Sequence, residues 1–140
     1  MFEKILLAVD GSEHALRSAK MAGDLARVLK AESVRIVVAY SYIPSYLGEP
    51  NMQAYIDARL HEANGILETA LRQVGEIPGS IHTELIEGSP AEAIMGVAAI
   101  RQVDLIVMGS RGMGTLAGLL LGSTSQKVVS HAPCPVLVVR

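Results

Sequence analysis

The stretch Lys4-Ile5-Leu6-Leu7-Ala8-Val9-Asp10-Gly11-Ser12 sets the reading of the whole chain. From Lys4 to Val9 it is a continuous apolar run stopped by Asp10-Gly11, the pattern of a short strand buried on both faces. Ser12 stands where a helix N-cap belongs, and Ala15, Leu16, Ala19, Ala22, Gly23, Ala26 and Leu29 then recur at helical spacing. Small residues along that stripe let the helix lie close to a sheet. A doubly buried strand followed at once by a helix is the first step of a parallel, helix-covered sheet.

Outward from there the same alternation continues. Val34 to Tyr40 is a second strand rich in Val and Ile, and the polar, Pro-containing stretch from Ser41 to Asn51 is a loop. Met52, Ile56, Leu60, Ala63, Leu67, Ala70 and Val74 have helical spacing, broken by Gly75 to Ser80. Ile81, Thr83 and Leu85 alternate with His82 and Glu84, as in a strand with one wetter face. Ser89-Pro90-Ala91-Glu92 has the form of a capping box with Pro at the first helical position, opening a helix to about Arg101. Asp104 to Met108 and Pro135 to Val139 are the fourth and fifth strands, and Gly109 to Ala132 begins as loop and turns helical near Ser123. The order β-α-β-α-β-α-β-loop-α-β predicts one α/β domain over residues 1–140, a doubly wound parallel sheet with helices on both faces.

Composition narrows the function. With 140 residues the chain is long enough for one core, and 50% hydrophobic but 4% aromatic residues mean that aliphatic side chains build it. Twelve Lys and Arg against 14 Asp and Glu leave a net charge of −2, which offers no basic footprint for a nucleic acid. No Lys/Arg cluster marks a membrane surface, and no apolar run approaches the roughly 20 residues of a spanning helix. The start lacks a basic leader and meets an acid early, and the single Cys134 supplies neither a disulfide framework nor a metal pair. These features lead to the expectation of a cytoplasmic protein without nucleic-acid or membrane partners.

The chemistry is expected in Gly109-Ser110-Arg111-Gly112-Met113-Gly114-Thr115-Leu116-Ala117-Gly118-Leu119-Leu120-Leu121-Gly122-Ser123-Thr124-Ser125. Loops after a strand usually take about 2–6 residues, and longer ones tend to be functional. Its glycines leave main-chain N–H groups uncovered, and it runs into a helix whose first residues are three hydroxyls. Amides at a helix N-terminus attract an anion, and hydroxyls add donors for phosphate oxygens. Gly109 and Gly114 have Walker A spacing, but Thr115-Leu116 stands where Lys-Ser/Thr is required. A dinucleotide fingerprint is missing from the Asp10-Gly11-Ser12 turn after the first strand.

Gly109-x2-Gly112-x9-Gly122-Ser123 resembles the phosphate-binding pattern of the ATP-binding branch of the universal stress protein family. The start Ile5 to Ser12, the middle Val107 to Gly112 and the end His131 to Val139 are similar to that family too, and the likeness is weakest from Ser41 to Ser80. The resemblance implies a five-stranded sheet of order 3-2-1-4-5 and a ligand at the switch point between strands one and four. It further implies that Ala8 and Val9 line the adenine and Asp10 contacts the ribose or base side. Ala39 would meet the adenine edge through its backbone. Met108, Gly109, Ser110, Arg111 and Gly112 would pass under ribose and phosphates, with Gly122, Ser123, Thr124 and Ser125 around the phosphate chain. The cofactor implied is ATP, or ADP or AMP, with Mg2+. Family members often carry a Lys or Arg in the nine-residue spacer, whereas Met113 to Leu121 holds none, leaving Arg111 and Lys127 as the nearby cations. The family also pairs its last strand with a second subunit, which implies a homodimer through Pro135-Val139.

Plainer readings stand beside these. Asp10 is also suited to capping the turn before the first helix, and Arg111 to a solvated surface. His14, His61, His82 and His131 lack metal-ligand spacing and read as surface or helix-end residues. Cys134, between Pro133 and Pro135, reads as a buried or interface thiol, and Ser123 without a His base as a ligand donor. Leu119-Leu120-Leu121 reads as a packing anchor. The leading function is a nucleotide-dependent regulatory module of the stress response, read by a protein partner the sequence does not name. The alternatives are a slow ATPase, for which Glu13 and His14 are the nearest candidates, and a dimeric structural member that binds no nucleotide.

Overall fold

The computed structural model describes residues 1–111 and 121–140. Within them run β1 (Lys4–Ala8), α1 (Glu13–Leu29), β2 (Ser33–Tyr40), α2 (Asn51–Val74), β3 (Ser80–Glu87), α3 (Pro90–Ile100), β4 (Leu105–Gly109), α4 (Ser123–His131) and β5 (Val136–Val139). The five strands form one parallel sheet of order β3-β2-β1-β4-β5. The chain therefore winds first one way from β1 through β2 to β3, then returns across β1 to β4 and β5. The C-terminal ends of β1 and β4 are where its direction reverses, the place at which open α/β sheets usually take their ligands.

Period-two alternation assigns the faces. Ile5, Leu7 and Val9 share a core with Ala15, Ala19, Ala22 and Ala26 of α1 and Ala63, Ala70 and Val74 of α2. Leu6, Ala8, Val37 and Met108 point the other way, onto Ala91, Ile94, Val97 and Ala98 of α3 and Val128 of α4. The alanine stripe of α1 allows the close approach expected of it. At Gly23 even alanine is too large, because a Cβ there would run into the Val74 carbonyl oxygen of α2.

Caps explain where two helices begin and one ends. The Ser12 hydroxyl accepts the Ala15 N–H at 3.2 Å, as expected of an N-cap. Ser89 differs: α3 starts at Pro90, but the Ser89 side chain makes no capping bond. Its carbonyl accepts the Ala93 N–H, so Pro90 and main-chain geometry start this helix without the hydroxyl. At the far end of α2, Arg27 of α1 reaches across and donates from Nη1 to the carbonyls of Val74 and Glu76, at 2.8 and 2.9 Å. The Val74 carbonyl is one that a helix end leaves over, and Glu76 lies just past the helix. Arg27→Ala should cost about 1–2 kcal/mol, read as a lower urea midpoint with an unchanged slope, and a midpoint like the parent's would refute the cap.

Several boundaries differ by a residue or more from the sequence pattern. β3 runs from Ser80 to Glu87, longer than Ile81–Leu85, because its backbone stays in register with β2 from Ser33 opposite Ser80 to Tyr40 opposite Glu87. β1 stops at Ala8, although the Val9 N–H still bonds the Val37 carbonyl at 3.1 Å. With 24 residues α2 is about 36 Å long, whereas the eight residues of β2 span about 26 Å. Its N-terminal turns, with Met52, Ile56 and Leu60 half-buried, thus stand past the carboxyl edge of the sheet. Among the described residues no helix is long and apolar enough to cross a membrane.

Candidate functional site

Two strand ends and two helix starts meet at the reversal point. On the β1 side Asp10 leads into a tight turn, where its Oδ1 accepts the Ser12 N–H at 3.0 Å. Gly11 has φ +88°, a conformation that a side chain would strain, and it lets the turn deliver Ser12 to the cap of α1. The turn-capping role of Asp10 is therefore present in the structure, where Asp10 is half-buried.

The β4 side is organised around Ser110, which is 3% exposed. Its N–H donates to the Val139 carbonyl at 2.8 Å, and its carbonyl accepts the Gly122 N–H at 2.7 Å and the Ser125 hydroxyl at 2.9 Å. Ser125 is itself buried, and its hydroxyl also reaches the Gly122 carbonyl at 3.0 Å. Both of those Ser125 contacts are main-chain carbonyls, so this hydroxyl holds the two ends of segment 111–121 together. Ser123 is exposed and Thr124 half-buried at the first positions of α4. Gly122, the N-cap, has no side chain to offer their amides, and among the described residues no side chain caps them. That end of α4 presents N–H groups and the positive end of a helix dipole.

The remaining predicted residues fall around this corner. Ala8 and Met108 are neighbours in register and share the α3–α4 face, both nearly buried. Val9, paired with Ala8 in the sequence reading, lies on the opposite face, as strand alternation requires. Ala39 is half-buried near the end of β2, opposite Ile86. Arg111 is exposed, and its carbonyl lies 3.5 Å from the Ser12 hydroxyl. Gly109 is needed for packing: a Cβ on it would come 2.7 Å from the His14 Cβ and 3.0 Å from the His14 carbonyl carbon. Gly112 lies outside the described residues, as does most of the spacer, including Leu119 and Leu120.

The sequence reading gives His14 both as a surface or helix-end histidine and, with Glu13, as the nearest candidate for a slow ATPase. It is a helix-end histidine, as read, but its Nδ1 lies 2.9 Å from the Ser110 hydroxyl and so joins α1 to the β4 side. Its place two positions after the Ser12 cap, at the reversal point, was the signal available. A second feature is a crevice of about 300 Å³ between α1 and α2 beside Gly11, bounded by Val9, Leu16 and Ile66 and by the bare Cα of Gly65. Cys134 is half-exposed, and burial, with the Asp104 charge second, raises its thiol above the ordinary range, which disfavours a nucleophile. Among the described residues no cluster of three or more His, Cys, Asp or Glu is placed to hold a metal.

Fold and corner together define a doubly wound α/β protein with an anion-attracting helix start at its reversal point. The full length, residues 1–140, matches the Universal stress protein family. A universal stress protein of Thermus aquaticus is 46% identical, with all of both chains covered. Among solved structures, the universal stress protein UspA of Lactobacillus plantarum superposes with a TM-score of 0.85 at 27% identity, covering 99% of this chain and 98% of that one. A universal stress protein crystallised in complex with cAMP superposes at 0.69, with 28% identity and 99% and 97% coverage. The chain belongs to the universal stress protein family.

Proposed function

We propose that this chain binds an adenine nucleotide, ATP in the first instance with ADP or AMP as the alternatives, across the carboxyl ends of β1 and β4. In this reading occupancy is the signal of a regulatory module in the stress response. The observation that carries it is the start of α4: a glycine N-cap at the reversal point, with Ser123 and Thr124 amides that no described side chain caps. A negatively charged ligand is the natural partner of such amides. A relative 28% identical to this chain was crystallised with cAMP, which supports an adenine ligand.

The roles then distribute over the corner. Ser123 and Thr124 offer amides and hydroxyls to phosphate oxygens, Ser125 and Ser110 hold the loop ends, Gly122 puts no side chain over the α4 amides, and Gly112, outside the described residues, is assigned to the phosphates. Asp10 takes the ribose or base side, with Ala8, Met108 and the main chain of Val9 and Ala39 around the base and Gly109 beneath the ribose. Arg111 supplies the nearby charge. Without a carboxylate cluster among the described residues, a Mg2+ ion is carried by the phosphates and its own waters. The open edge of β5 pairs with a second copy through Pro135–Val139, giving a homodimer, because a bare apolar edge favours pairing. The reading places the protein in the cytoplasm, engaging a protein partner and neither nucleic acid nor membrane.

Freshly purified protein, heat-denatured and analysed by mass spectrometry, should release adenine nucleotide in near-stoichiometric amount, and calorimetric titration of stripped protein with ATP, ADP and AMP should rank them. Light scattering at micromolar concentration should give the dimer mass. No released nucleotide together with no binding heat for any of the three would leave the structural-member alternative, and a monomer would remove the β5 interface.

A further inference from the structure

The hydrogen bonds of Ser110 reach into three parts of the fold. Its N–H goes to β5, its carbonyl to both Gly122 and Ser125 at the start of α4, and its hydroxyl to His14 on α1. The first three keep the β4 end, the β5 end and the α4 start as one unit. The fourth comes from the opposite layer, 96 residues away in sequence. Gly109 makes the approach possible, since a side chain there would drive α1 and its His14 off the strand end. Among the described residues the buried Ser110 hydroxyl meets only the His14 ring. The bond forms with either neutral tautomer: Nδ1 accepts the hydroxyl proton when Nε2 carries the ring hydrogen, and donates to the oxygen otherwise.

From this geometry we infer that His14 is the positioning residue of the crevice. It fixes the spacing between the turn that carries Asp10 and the clamp that presents the α4 amides. Asp10 is four residues before His14 on the same turn-and-helix start, and Gly122 is held by the Ser110 carbonyl whose side chain His14 holds. A ligand that bridges the two sides needs both at one separation. The β1–β4 ladder and the Ser12–Arg111 contact set it coarsely, and the His14–Ser110 bond holds it at the level of α1 before the ligand arrives. Preorganisation of this kind raises affinity by removing an ordering cost at binding. The inference rests on the nucleotide reading above for its consequence, though not for its geometry.

The test uses His14→Leu, which keeps bulk but cannot hydrogen-bond, and His14→Asn, whose amide can stand in for Nδ1. ATP titration should show binding weakened about tenfold or more in His14→Leu and restored to within about threefold of the parent in His14→Asn. In protein free of nucleotide, amide exchange at Gly122 should quicken about tenfold in His14→Leu and recover in His14→Asn. Leu7, in the core of β1, reports global unfolding; a general loss of stability would speed both amides together. Equal ATP affinity in the parent and His14→Leu, or no rescue by His14→Asn, would overturn the role. Should the parent itself not bind ATP, the nucleotide reading fails, and Gly122 exchange alone decides: selective quickening upholds the clamp, and unchanged exchange overturns it.

Discussion

Gly23→Ala should destabilise the protein by about 2 kcal/mol and lower its melting temperature by roughly 6–10 °C. The alanine methyl would run into the Val74 carbonyl oxygen and lie 3.0 Å from the Val74 carbonyl carbon and Cα. All three are main-chain atoms at the end of α2, so no rotamer change relieves the contact. The two helices must move apart, and the Arg27 bond to that same Val74 carbonyl is stretched with them. Overpacking costs about 1–3 kcal/mol, and a clash with rigid main chain belongs at the top of that range, so about 2 kcal/mol remains after the roughly 1 kcal/mol returned by better helix propensity. Gly65→Ala in α2 is the matched control. Nothing lies within 4 Å of its Cβ position, so propensity acts alone and the protein should gain about 0.5–1 kcal/mol. Thermal melts of the two variants should shift in opposite directions. A Gly23→Ala melt at or above the parent's would show that α1 and α2 are not in contact there.

Ser123→Pro should weaken adenine-nucleotide binding about 10- to 100-fold while leaving the fold intact. Ser123 is the first residue of α4, a position at which proline is well tolerated because its N–H has no partner within the helix. The preceding Gly122 already has φ −72° and ψ 168°, close to the extended conformation that proline demands of its neighbour. The substitution thus removes one amide donor and one hydroxyl from the helix start with little disturbance to the backbone. Charge-assisted bonds to an anion are worth about 1.5–3 kcal/mol each, so the lost amide sets the expected range, water taking over most of the share of the exposed hydroxyl. Ser123→Ala, losing only the hydroxyl, should fall between the parent and the proline variant. Far-ultraviolet dichroism and melting temperature serve as controls. Parent-like affinity in Ser123→Pro would place the phosphates somewhere other than the start of α4.

Much of this fold is legible in local pattern. The Ile5–Val9 run, the Ser12 cap and the alanine stripe of α1 each name their element, because burial on two faces and helical periodicity are properties of a few consecutive residues. Ser89 shows the limit of local reading. It has the same form as Ser12 in front of a helix, yet only Ser12 places its hydroxyl on the first turn. The ends of the glycine segment, Gly109 and Gly122, fall at the carboxyl edge of the sheet, as their place at and after the end of β4 requires. Local pattern did not separate glycines that keep main chain accessible from Gly109, whose missing side chain makes room for α1.

By itself the sequence determined the alternation of strands and helices, the apolar layers, and a helix start preceded by glycine, all set by contacts between near neighbours in the chain. Only the tertiary structure decided that Ser125 serves the loop ends, that Gly109 makes room for α1, and that His14 reaches Ser110. Those outcomes depend on which atoms meet across a loop or between layers, 15 residues apart for Ser125 and Ser110 and 96 for His14 and Ser110, and no local periodicity records such a meeting.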